Sequence, residues 1–173
     1  MANTYELIAS TQLTSTSTGF TFSSIPQTYT DLEFRLSSRS DFADTNSNVI
    51  VRLNGVSTQI YRNAQMSYYS SGLNYNTSFN GNYFNNGPFN AGASLTANTY
   101  GMDRFYLPNY TSSTMFKAIL GFTSITQSTG NGWAIHYHGS SADTAAVTSI
   151  TVAPYSNNFI SGSNFYLYGI KKS

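Results

Sequence analysis

Cysteine is absent from this sequence of 173 residues. Disulfides, thiolate metal ligands and thiol nucleophiles are therefore excluded. Charge is scarce too. Asp, Glu, Lys and Arg make up 9% of the chain, against about a quarter in an average domain. The formal net charge is +1. So few charges give little attraction to nucleic acid or to an anionic membrane, and neither partner is expected. No apolar run approaches the roughly 20 residues of a membrane helix. The opening stretch, Met1 to Ser10, has no basic segment and no long apolar segment. No signal peptide is read there, and synthesis in the cytosol is expected.

Polarity comes instead from Ser, Thr and Asn, together roughly four residues in ten, a strong departure from average usage. Disorder is argued against by a hydrophobic content of 40% and an aromatic content of 16%, with 14 Tyr and 12 Phe. Aromatic and β-branched residues suit pleated, half-buried surfaces. The length suits a single domain spanning residues 1–173, large enough to bury a core without metal or disulfides.

Alternation of period two runs along the chain. Strands are read at Thr4 to Thr11, Gly19 to Ser24 and Leu32 to Arg39, the last with Leu32, Phe34 and Leu36 on one face. A further strand is read at Val49 to Leu53. Asn54-Gly55 after it is the strongest hairpin signal, with Thr58 to Arg62 as the return strand. Gln65 to Tyr75 reads as an irregular strand. Later strands are Tyr100 to Leu107, Thr114 to Ser124, Gly132 to Gly139, Ala145 to Ala153 and Ser163 to Ile170. In the second of these, Phe116, Ala118, Leu120 and Phe122 share a face opposite Met115, Lys117, Ile119 and Gly121. In the last, Phe165 and Leu167 point to a core, and Tyr166, Tyr168 and Ile170 point away from it. No segment holds helical spacing with caps at both ends. The expected fold is an all-β antiparallel sandwich, jelly-roll-like, of about nine or ten strands.

A long irregular loop is expected at about residues 77–99, rich in Asn and Gly between Asn80 and Gly92. Its Tyr83, Phe84 and Phe89 imply contact, either with the chain's own sheet or with a partner. Gly130-Asn131-Gly132 reads as a turn before Trp133. Trp133 and Tyr137 share a strand face and form either ordinary core or a sugar-stacking platform. Tyr166 and Tyr168 are candidates for contact with a neighbouring subunit.

Catalytic chemistry is thinly supplied. Asp41 and Asp44 share a turn whose oxygens suggest calcium, but the turn lacks the Glu and Gly positions of an EF-hand loop. His136 and His138 sit two apart on a strand and point the same way, as a chelating pair does, yet no third ligand stands near. No G-x-S-x-G, P-loop or G-x-G-x-x-G is present. No catalytic residue, cofactor site or metal site is assigned. An enzyme such as a glycan hydrolase would need an acid pair that the sequence does not offer.

Several segments together carry a resemblance. They are Ala2 to Ser10, Phe22 to Leu32, Val51-Arg52-Leu53-Asn54-Gly55, Tyr106 to Tyr110, Ile150 to Pro154 and the closing Phe165 to Ile170. With these, the chain resembles small β-rich virion structural proteins of tailed bacteriophages from end to end. The resemblance implies a non-enzymatic role, as a capsid decoration (cement) protein that stabilises the assembled shell or as a tail or fibre component contacting the host, with glycan as one ligand. It implies the major capsid protein or other virion proteins as partners, a homotrimer at a local three-fold position, and a virion location after assembly in the host cytoplasm.

Overall fold

The computed structural model describes residues 4–69, 72–85, 87–126 and 132–171, with the side chain of residue 69 left aside. The turn expected at Gly130 and Asn131 lies outside them. Twelve strands and no helix occur among the described residues. In order they are β1 (Tyr5–Gln12), β2 (Phe20–Phe22), β3 (Asp31–Ser38), β4 (Asn46–Leu53), β5 (Tyr61–Tyr69), β6 (Gly72–Gly81), β7 (Phe89–Ala91), β8 (Gly101–Leu107), β9 (Lys117–Thr126), β10 (Gly132–Ser141), β11 (Ile150–Pro154) and β12 (Asn164–Ile170).

Eight strands form one sheet in the order β1-β12-β3-β8-β9-β10-β5-β6, and four form a second in the order β2-β11-β4-β7. Neighbouring strands pair antiparallel throughout. The fold is thus the all-β antiparallel sandwich that the alternation predicts, with more strands than it counts.

The core lies between the sheets. Phe34 of β3 stands opposite Leu167 of β12 and Phe105 of β8, and its ring lies 4.9 Å from that of Phe105. Phe22 closes on Phe34 from the smaller sheet, edge to face at 5.8 Å. Val49, Val51, Ile150 and Val152 complete the opposing layer. The closing strand behaves as its pattern predicts: Phe165 and Leu167 are buried, and Tyr166, Tyr168 and Ile170 are half-buried on the other face.

Four expectations are corrected. Asn54 and Gly55 do form a tight turn, at φ 52° and 67°, closed by Val56 N–H to the Leu53 carbonyl at 3.0 Å. No hairpin follows. β4 is already paired on both edges, by β11 and β7, so the chain crosses to the larger sheet and β5 pairs with β10 and β6. The Asn54 side chain is committed elsewhere. Its Nδ2 donates to the Ala146 carbonyl at 2.9 Å, and its Oδ1 accepts from Thr148 N at 2.8 Å.

Gln65 to Tyr75 is no irregular strand. Its described residues fall in two long strands, β5 and β6, whose pairing is unbroken from Asn63 to Tyr69. The region about 77–99 is only partly loop, because β6 runs to Gly81 and β7 pairs with β4. Phe84 and Val51 exchange two backbone hydrogen bonds at 2.9 Å, pinning the segment to the smaller sheet. Finally, β11 begins at Ile150, not Ala145. The stretch before it is diverted by Val147 N–H, which bonds the Tyr110 carbonyl at 2.8 Å.

Candidate binding face

β9 turns its less apolar side inward. Lys117, Ile119, Thr123 and Ile125 are buried, while Phe116 and Leu120 are exposed. Two features make this orientation workable. The Lys117 ammonium donates to three carbonyls, Ser112 and Met115 at 2.8 Å and Thr144 at 2.9 Å. Burial lowers its pKa, and the nearby Asp143 carboxylate acts against that. Gly121 leaves room for the ring of Tyr137, which a Cβ at that position would meet at 2.4 Å.

The outer face of the large sheet therefore gathers apolar side chains from several strands. The registers align Leu120 with His138 and with Tyr106, and Met66 with His136 and with Tyr75. Leu73, Tyr75 and Phe79 of β6 are among the most exposed side chains of this face. Between β8 and β6 lies a groove of about 630 Å³, lined by Tyr106 and Pro108 on one side and by Tyr75, Thr77 and Phe79 on the other. Ala64, Ala118, Leu120, His138 and Arg62 complete it. A smaller hollow of about 180 Å³ adjoins it at Met66 and His136. An exposed apolar patch of this kind is a candidate interaction surface.

The rim beyond β8 is charged. Glu33 is only 1% exposed. It accepts from Arg35 Nε at 2.6 Å, from Arg104 Nη2 at 2.5 Å and from the Tyr5 hydroxyl. Burial pushes its pKa up, and the hydrogen bonds from Tyr5 and the two arginines outweigh that and hold it below the ordinary glutamate value. The Arg35 guanidinium also lies 4.8 Å from the ring centre of Tyr168. Two guanidiniums meet on one carboxylate, and the Asp31 carboxylate beside them, which accepts from the Tyr106 hydroxyl at 2.6 Å, offsets the remaining positive charge.

The residues singled out from sequence are dispersed. Tyr166 and Tyr168 lie on the outer face of the large sheet, as expected. Tyr83 is on the other side of the molecule, edge-on to Tyr155 at 6.1 Å and beneath the Arg52 guanidinium. Phe84, Phe89 and Tyr137 are core side chains. Trp133 packs against the same core. Trp133 and Tyr137 thus make no exposed sugar platform, because their shared face is the inner one.

His136 and His138 both point outward into the two hollows. No group of three or more His, Cys, Asp or Glu that could hold a metal occurs among the described residues. Asp41 uses its carboxylate on Asn158, from N at 2.7 Å and Nδ2 at 3.0 Å, while Asp44 accepts from Thr45 N at 2.6 Å. Among the described residues no carboxylate lines the groove. What the groove can do is hold an apolar or aromatic group, with the Arg62 guanidinium and the His138 imidazole as its ionisable neighbours other than tyrosine.

Arg62, Tyr75, Phe79, Tyr106 and Leu120 were not legible as a site from sequence. A signal existed in the alternating Met66, Tyr68, Leu73 and Tyr75, apolar residues in a stretch without charge after Arg62. Only the strand order brings them beside Leu120.

No family model matches the chain, and no curated protein matches it. Among solved structures it is similar to galectin LEC-6 of Caenorhabditis elegans, at 9% identity over 94% of this chain and 96% of that one, with a TM-score of 0.34. It is also similar to xylan β-1,4-xylosidase from Bacillus halodurans C-125, at 10% identity and a TM-score of 0.30, over 83% of this chain and 28% of that one. A toad ovary galectin solved with thio-digalactose matches at 10% identity over 79% of this chain and 98% of that one, with a TM-score of 0.24. Likeness at this level carries no argument about what the chain binds.

Proposed function

We propose that this chain is a non-enzymatic structural protein of a tailed-phage virion, a capsid decoration protein that docks on assembled shell subunits through the outer face of its large sheet. One observation carries the reading: the contiguous apolar face around Leu120, Met66 and Tyr75, left open to solvent. Burying such side chains yields about 1.5–3 kcal/mol each. Sites that recur around a closed shell multiply that gain, and binding only the assembled lattice stabilises it by mass action. The location in the virion and the capsid protein as partner rest on the family resemblance.

The test is co-sedimentation with purified shells of the phage that encodes the chain. Wild-type protein is expected to bind in a fixed stoichiometry. Leu120→Arg places a charge in the centre of the face and is expected to weaken binding roughly 100-fold, the scale of a central interface residue. Its folding stability is expected to change by less than about 0.5 kcal/mol, because Leu120 is 63% exposed. Binding that ignores this substitution removes the face from the account.

The tail or fibre reading is favoured by a different feature, the convergence of Tyr75, Phe79, Tyr106, Arg62 and His138 on one groove. Aromatic rings suit the apolar faces of sugars, and the flanking donors suit hydroxyls. That reading expects glycan binding lost in Phe79→Ala and unchanged in Trp133→Phe. A glycan array that stays blank with wild-type protein rules it out.

A further inference from the structure

The sandwich has four edge strands, β1 and β6 in the large sheet and β2 and β7 in the small one. Natural sheets protect their edges with shortness, charge, proline or bulges. Three of the four follow that rule. β2 and β7 are three residues each. β1 is bulged between Leu7 and Ala9, and its Glu6 pairs with Lys171 at 2.8 Å.

β6 has only a register shift at its far end, opposite Tyr61 to Asn63, and its stretch from Gly72 to Ser78 has none of these protections. The strand is 10 residues long, GLNYNTSFNG, with no charge and no proline. It also carries the three most exposed large hydrophobic side chains among the described residues, Tyr75 at 73%, Leu73 at 70% and Phe79 at 69%. Ten strand residues span about 34 Å of unpaired backbone. An edge so long, neutral and apolar is a template for another strand.

The sequence of β6 indicates which strand fits. From Asn76 outward, residues at equal distances match in kind at two of three steps, polar with polar and apolar with apolar. Tyr75 and Thr77 come first, then Asn74 and Ser78, then Leu73 and Phe79. Positive φ at Gly72 and Asn80 ends the run on both sides, at 118° and 59°.

We propose that β6 pairs antiparallel with β6 of a second copy of this chain, about a two-fold axis at Asn76, joining two large sheets into one. Leu73 then faces Phe79 of the partner subunit, Tyr75 faces the partner's Thr77, and each contact occurs twice, as an isologous interface requires. Apolar pairs and aromatic with β-branched pairs are the favourable cross-strand combinations. With no charge on either strand, self-pairing opposes no like charges. The grooves of the two copies lie on the same side of the joined sheet, because opposed residues in an antiparallel pair share a face. The two-fold is an alternative to the three-fold that the family resemblance implies, and it does not depend on the proposed function.

Sedimentation equilibrium of the full chain tests this. Wild type is expected to have the mass of two chains. Asn76→Lys opposes like charges on the axis and is expected to weaken the dimer roughly 100-fold. The Asn76 side chain is exposed on the face opposite the groove, so shell or glycan binding by a single chain is unaffected. Asn76→Asp alone is expected to be monomeric for the same reason, and an equimolar mixture with Asn76→Lys restores the dimer. Rescue by mixing separates loss of pairing from loss of folding. A wild-type mass of one or three chains, or a mixture that fails to dimerise while both variants keep the wild-type circular dichroism spectrum, overturns the proposal.

Discussion

Arg39→Ala is expected to cost the fold about 4 kcal/mol, a shift of roughly 2 M in the urea midpoint. Arg39 is 7% exposed, and its guanidinium serves four carbonyls of one segment. Nη1 donates to Thr96 at 2.8 Å and Thr99 at 3.0 Å. Nη2 donates to Ala93 at 3.1 Å and Leu95 at 2.8 Å. The turn-rich stretch 93–99 is thus folded around one cation.

Hydrogen bonds to a charged group contribute about 1.5–3 kcal/mol each, and water entering at the loop surface returns part of that. Alanine removes a donor from all four carbonyls, of which Thr96 keeps the Thr99 N–H at 3.1 Å. Lysine keeps the charge but offers three donors without a planar fork, so Arg39→Lys is expected to cost about half as much. A loss below about 1 kcal/mol for the alanine variant would show that stretch 93–99 holds itself without the cation.

The second large effect is a reversal of the usual acid response. Asp103 is fully buried. Burial raises its pKa from 3.8 to about 7, against hydrogen bonds from Thr123, Tyr137 and the backbone at Phe89. The geometry supports the protonated form. Thr123 Oγ1 lies within hydrogen-bond reach of both Asp103 Oδ2 and the Gly87 carbonyl, the latter at 2.7 Å. A hydroxyl has one proton and cannot donate to both. With Asp103 protonated, the acid donates to Thr123, Thr123 donates to Gly87, and the Tyr137 hydroxyl donates to Oδ1 at 2.5 Å.

The sign follows from linkage. The folded-state pKa lies above the unfolded one. The contribution of Asp103 is fully present below about 3.8 and is lost as pH rises through about 7. The slope in that window is about 1.4 kcal/mol per pH unit. Lowered carboxylates such as Glu33 and Asp41 act the other way and at lower pH, so the difference between variant and wild type is the quantity to read.

Asp103→Asn mimics the protonated acid at every pH, its amide donating to Thr123. It is expected to match wild type near pH 4. At pH 8 it is expected to be more stable, by an amount on the order of 4 kcal/mol. A variant that is less stable than wild type at pH 8 contradicts this proton arrangement.

Sequence alternation disclosed most of the fold. Leu32, Phe34 and Leu36, and later Phe165 and Leu167, mark inner faces because their neighbours are polar or have room to face outward. On β9 alternation separates the two faces but leaves open which is inner, because both carry apolar residues. Lys117 points inward because three carbonyls receive it, two from the turn just before it and one from the distant Thr144. The Asn54-Gly55 turn was legible and its hairpin was not, since pairing depends on which edges other strands already occupy. The binding face shows the same limit. Tyr75, Leu120 and Tyr106 are far apart in sequence and meet through strand order. Tyr137 reads as either core or platform from sequence, and Gly87 and Gly121 admit its ring to the core.

The proposed contact with a virion shell lies on the outer face of the large sheet. A density map of the intact particle tests it most directly. The account predicts the twelve-stranded sandwich on the shell exterior, in fixed copy number, with Leu120, Met66 and Tyr75 against capsid subunits. Density for the chain at the tail alone, or on the shell with that face open to solvent, contradicts it.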